Sequence, residues 1–170
     1  MKPDQKTKLI EKTLAVDATR KNIGRYSQSE GVSYFTDGHV LLVGPELAYL
    51  FSDRKPFLNG PNIFGIMSNA FDTCNETFFE ELPFTAKKGQ KITAVYNGSF
   101  KGIRFSKTTI GDIEPKEKHI AFDVTYINFL ANLGFNRLFW DNNNGRALAI
   151  RQHGEEINHD LMAIVMPMIM

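Results

Sequence analysis

The chain has 170 residues, 42% of them apolar and 23% charged, with a formal net charge of +1 at neutral pH. That size and composition suit one globular domain, or one domain with an elaboration, and exclude a disordered chain. Cys74 is the single cysteine, which excludes an internal disulfide, and no run approaches the ~18 apolar residues of a membrane helix.

The charge is unevenly placed. Residues 1–25 carry seven basic side chains (Lys2, Lys6, Lys8, Lys12, Arg20, Lys21 and Arg25) against three acidic ones, whereas the remainder carries 13 basic and 16 acidic. A polyanion suits the first face, although a basic run is also the ordinary composition of a solvated helix. The segment Met1 to Lys6 has no apolar signal-peptide core, so a cytoplasmic protein with no membrane partner is expected.

Residues 5 to about 17 fit an amphipathic helix, with Leu9, Ile10, Thr13 and Leu14 forming one stripe and Lys8 and Lys12 lying one turn apart on another. Ile23 to Thr36 is strand-like, and Gly31 within it reads as a bulge or tight bend. Asp37-Gly38 separates Val32–Thr36 from His39–Val43, the pattern of a hairpin with a type I′ turn. Glu46 to Phe51 fits a helical turn or an edge strand. Pro56, Gly60, Pro61 and Gly65 punctuate a loop-rich stretch, and Phe71 to Pro83 fits no single element. Ile92–Tyr96 and Gly102–Ser106 pair through Asn97-Gly98, and Asp112 to Lys118 is a charged loop.

The second half is more regular. Phe122 to Gly134 reads as a short helix with Asp123 as its N-cap, an apolar stripe of Val124, Ile127, Leu130 and Ala131, and Gly134 just past its end. Strands follow at Arg137–Asp141 and Arg146–Gln152, joined by the turn Asn142 to Gly145, and Leu161 to Met170 reads as a final apolar strand. The expected class is α+β, two helices packed on antiparallel sheets, with an unplaced elaboration at 45–115 inside one domain spanning 1–170.

Signatures of common chemistries are missing from the sequence. There is no phosphate-binding Gly-Lys loop, no dinucleotide Gly-rich turn and no Gly-x-Ser-x-Gly elbow. His153 and His159 stand near Glu155, Glu156 and Asp160, but in what reads as a solvated hairpin loop, so no metal is expected. The pairs Glu80-Glu81 and Glu155-Glu156 are adjacent, and adjacent side chains diverge rather than form an acid/base dyad. Phe100 to Phe105 loosely echoes an RNA-stacking strand, but strand aromatics pack in cores more often than they stack on bases.

Two segments carry a family resemblance. Phe35-Thr36-Asp37-Gly38-His39-Val40-Leu41 resembles the hairpin Ala-Thr-Asp-Gly-His-Arg-Leu, and Ile120 to Met170, with Met166-Pro167-Met168 near its end, resembles a closing helix and strands with a Val-Met-Pro-Met-Arg-Leu tail. Both belong to the bacterial sliding clamp, the β subunit of DNA polymerase III, in its middle and last domains respectively. The resemblance covers about a third of the chain. Val40 stands where the family has Arg, and Ile169-Met170 where it has Arg-Leu.

The resemblance implies a DNA-clamp-like fold and a non-enzymatic protein with no catalytic residue and no cofactor. It implies loose phosphate contacts to duplex DNA, without sequence preference, through Lys6, Lys8, Lys12, Arg20, Lys21 and Arg25. The second helix offers Asn128 and Asn132 but no cation. It further implies a peptide-binding pocket made by Thr36, Gly38, His39, Leu41, Ile164 and Met166, which receives segments of polymerases or repair proteins. A six-domain ring of chains this size needs six copies or another partner, so a homo-oligomer is one implied arrangement. A clamp-fold protein-binding module without DNA encirclement is the second reading, and a small enzyme with its site in 45–115 the third.

Overall fold

The computed structural model describes residues 1–15, 23–58, 60–63, 65–68, 79–82, 91–96, 100–106, 118–141 and 146–166. Arg20, Lys21, Cys74 and the Met166-Pro167-Met168 motif beyond Met166 therefore lie outside the described residues or at their limit.

Helix α1 (Pro3–Leu14) begins two residues before the expected start, with Pro3 in its first turn and the Gln5 side chain accepting the Lys2 amide at 3.1 Å. Proline is accommodated there because the first amides have no intrahelical partner. The helix buries Ile10 and Leu14 completely and Leu9 in part, the stripe that the sequence spacing marks. Each fully buried side chain of this size contributes about 1.5–3 kcal/mol.

Strands β1 (Ser27–Ser29) and β2 (Val32–Thr36) form a hairpin, pairing Ser29 with Val32. The expected single strand from Ile23 is thus two strands. Gly31 is not a bulge: Glu30 and Gly31 both take positive φ, 50° and 79°, as a tight two-residue turn requires. The type I′ turn falls here and not at Asp37-Gly38, where Gly38 alone has positive φ. The loop from β2 to β3 (Val40–Val43) is instead built on the Asp37 carboxylate, whose Oδ1 accepts the amides of His39 and Val40, both at 2.8 Å.

Glu46 to Phe51 resolves as helix α2 (Pro45–Leu50). Strand β4 (Phe79–Leu82) falls within the ambiguous stretch, and β5 (Lys91–Tyr96) pairs with β6 (Phe100–Ser106) as expected. Strand β7 (Lys118–Asp123) leads into α3 (Val124–Asn132), where Asp123 accepts the Thr125 amide at 2.8 Å. The α3 end is a Schellman motif, with Phe135 N–H donating to Leu130 O and Gly134 N–H to Ala131 O. Strands β8 (Arg137–Asp141), β9 (Ala147–His153) and β10 (Glu156–Val165) complete the chain. The last strand starts five residues earlier than expected. His153 to Asp160 is accordingly not a loop but a tight turn at Gly154 and the exposed ends of two paired strands.

The strands form a seven-stranded antiparallel sheet in the order β1-β2-β3-β10-β9-β8-β4 and a three-stranded sheet in the order β6-β5-β7. Both faces of the larger sheet are buried. Phe35, Leu42, Ala149 and Ala163 face α1, α2 and α3, while Tyr34, Val43, Leu148 and Ile164 face Ile63 and Met67 on the other side. Two-sided burial explains why residues 147–150 of β9 and 161–165 of β10 read as continuous apolar runs. Among the described residues no helix is long and apolar enough to cross a membrane.

Candidate functional site

The two segments that carry the family resemblance are neighbours in the sheet. Leu41 pairs with Ile164 and Val40 with Val165, and the amide of Met166 donates to His39 O at 2.8 Å. The hairpin tip and the end of β10 therefore share one edge of one groove. Thr36, Gly38, His39, Leu41, Ile164 and Met166, the six residues expected to form a peptide pocket, all line it. The cavity has a volume of about 380 Å³.

The opposite wall comes from Pro61, Ile63 and Ile66, with Val40 and Arg146 completing the lining. None of these five was among the residues expected to line the pocket. The wall is a short helical turn held by Asn62, whose side chain accepts the Gly65 amide at 3.0 Å while its carbonyl accepts that of Ile66 at 3.2 Å. An Asn cap followed by apolar residues at Ile63, Ile66 and Met67 was the available signal.

The floor and walls are mostly apolar. Ile66 and Met166 are 38% and 44% exposed, so hydrophobic surface is left open to solvent at the groove. Burying such surface under a ligand is favourable at about 25 cal/mol per Å². Met166 adds an unbranched, polarisable chain that adapts to different shapes. Among the described lining residues the ionisable side chains are His39 and Arg146, with no carboxylate.

The hairpin tip is held rigidly. Asp37 is buried, and its Oδ2 accepts the Tyr126 hydroxyl of α3 at 2.5 Å. Burial first, and the Asp37 carboxylate second, push the Tyr126 hydroxyl far above its ordinary range, so it remains a donor. The His39 ring stacks on Tyr126 with centroids 6.3 Å apart. Thr36 Oγ1 donates to Val40 O at 2.7 Å and accepts the Gly38 amide. Thr36 and Gly38 thus shape the loop as well as line the groove.

The basic residues of the N-terminal region are placed differently from one another. Lys8 and Lys12 are exposed on α1. Lys6 is half-buried, with Nζ 3.4 Å from Glu46 Oε1, so its charge is already engaged. Arg25 is exposed on the segment before β1. Glu46 also receives Arg151, with Nη1 at 3.2 Å and Nη2 at 3.0 Å from its two oxygens. Burial alone would raise the Glu46 carboxyl, but the Arg151 hydrogen bonds and charge, helped by Lys6, outweigh it and hold the group below the usual carboxylate range.

Among the described residues no group of three or more His, Cys, Asp or Glu side chains could hold a metal ion.

No protein-family model matches the chain, and no curated protein matches it. Among solved structures, the DNA polymerase III subunit beta from Pseudomonas aeruginosa is similar at a TM-score of 0.42 and 14% identity, over 97% of this chain and 65% of that one. The chain thus spans less than two thirds of that protein's length. A likeness so loose carries no functional assignment, which has to stand on the groove and on the sequence motifs.

Proposed function

We propose that this chain is a non-enzymatic, sliding-clamp-like protein that docks short peptides of replication or repair proteins in the groove and associates with duplex DNA. The supporting observation is the convergence of Thr36, Gly38, His39 and Leu41 with Ile164 and Met166 on one cavity. The two motifs belong to different domains in the family that they resemble, yet here they occupy adjacent strands. The groove is therefore complete within one chain, and docking needs no oligomer. An apolar groove beside an ordered hairpin edge takes an extended peptide with large apolar side chains.

Selection of a random peptide library on the immobilised protein tests this reading. Enriched sequences that share apolar anchors and are lost on Met166→Ala support it. Enrichment that survives both Met166→Ala and Ile66→Asp sinks it.

A protein-binding module without DNA encirclement is the second reading. It is favoured by the engagement of Lys6 with Glu46 and by the lack of any charged side chain in α3. Solution mass by light scattering, with and without duplex DNA, separates the two. A ring-sized or DNA-bound species supports the clamp-like reading, and a monomer indifferent to DNA supports the module.

A further inference from the structure

A second cavity, of about 300 Å³, opens where α1 ends. Arg25, Arg54, Lys55 and Glu11 stand around it, above a floor that includes Tyr26 and Phe51, whose rings stack 5.4 Å apart. Glu11, the one acid of the lining, is occupied by the Arg54 Nη1 at 2.5 Å. Arg25 and Lys55 are exposed, and among the described residues neither is in an ion pair. Arg54 also lies 3.9 Å from Asp53, so the rim's unengaged cations are Arg25 and Lys55.

We propose that this cavity seats a backbone phosphate of duplex DNA, extending the basic face of α1 around its C-terminal end. The inference rests on the DNA part of the function proposed above. A concave, predominantly cationic site with low-dielectric apolar walls focuses its potential outward more than a flat run of the same charges. A guanidinium fork also matches phosphate geometry, which a scattered lysine face does not. Lys8 and Lys12 lie on the same helix that carries Glu11, so the surface continues from them to the cavity. Lys6 drops out of this surface because Glu46 holds it, Arg54 is likewise held by Glu11, and Lys55 joins it from a part of the chain 30 residues beyond Arg25.

The test is a titration of the full chain against a fluorescein-labelled duplex of random sequence, repeated over a salt series. The double variant Arg25→Gln with Lys55→Gln is compared with wild type and with Lys8→Gln, Lys12→Gln. Each removed phosphate contact flattens the dependence of log Kd on log salt by about 0.9, so the cavity variant, which loses the one seated phosphate, is expected to lose a slope of about 0.9 and to bind more weakly. An unchanged slope and affinity in that variant, with both reduced in the Lys8, Lys12 variant, overturns the cavity but leaves DNA binding on α1. A wild-type protein that ignores the duplex at every salt overturns the DNA reading and the cavity together. Both residues are exposed, so an unchanged thermal midpoint shows that the fold is intact in the variant.

Discussion

Tyr126 of α3 donates its hydroxyl to the buried carboxylate of Asp37, tying the helix to the hairpin tip that edges the groove. The other Asp37 oxygen is spent on two amides of its own loop. Tyr126→Phe removes one donor from a buried carboxylate and leaves the ring that stacks on His39. The expected cost is about 1.5–3 kcal/mol, the range for hydrogen bonds to charged groups. Urea denaturation checks it, and a change below experimental error would mean that water replaces the hydroxyl without loss.

Acid should weaken the protein through Glu46. Its carboxyl titrates below the ordinary 4.5 in the folded state. A depressed folded pKa contributes stability that is fully present above the unfolded value and is lost as pH falls through the folded one. Glu46→Gln should therefore flatten the fall in melting temperature below that pH. At neutral pH it should cost about 1.5–3 kcal/mol, because Arg151 loses its hydrogen bonds to a charged acceptor. Melting curves across the acid range of wild type and variant decide the point, and parallel curves would remove Glu46 from the account of acid sensitivity.

The exposed cations of α1 should act on DNA and not on folding. Lys8→Glu with Lys12→Glu is expected to weaken duplex binding and to flatten its salt dependence by about 2 in slope. Lys6→Gln, by contrast, should lower stability by up to about 1 kcal/mol through its lost pairing with Glu46, with little effect on that slope. Fluorescence anisotropy and thermal melts on the same samples separate the two. Equal slopes for wild type and the double variant would take α1 off the DNA surface.

Much of this arrangement was legible in the residues. The stripe of Ile10 and Leu14, the Asp123 cap and the Gly134 stop each depend on local chemistry, and each is where the spacing put it. The groove residues were legible through their motifs, although nothing local says that Leu41 pairs with Ile164. The hairpin around Asp37-Gly38 forms where its residues mark it, but its turn type differs for a physical reason. An Asp-Gly pair suits a type I′ turn, but Asp37 instead spends its side chain on the loop amides, while the unpromising Glu30-Gly31 takes the positive φ values. The pairing of β4 with β8 joins residues about 60 positions apart, a long-range contact that no local pattern encodes. The wall at Pro61–Ile66 was hidden by the glycines and prolines around it, which read as loop.

Substitution of Met166 tests the proposed docking separately from folding. It is 44% exposed at the groove, whereas its neighbour Val165 is fully buried. Met166→Ala should shift unfolding by less than about 1 kcal/mol, while Val165→Ala should cost about 2–3 kcal/mol through cavity formation. Equal losses in chemical denaturation would make Met166 a core residue.

The most direct measurement is a methyl NMR titration of the protein, labelled at its Met and Ile methyl groups, with N-acetyl-leucyl-phenylalaninamide as a minimal apolar peptide. Saturable shifts at Met166, Ile164, Ile63 and Ile66, with Ile10 and Ile127 of the helix-side core unmoved, are the predicted result. Groove methyls that stay still, or shifts spread equally over both sides of the sheet, would contradict peptide docking at this site.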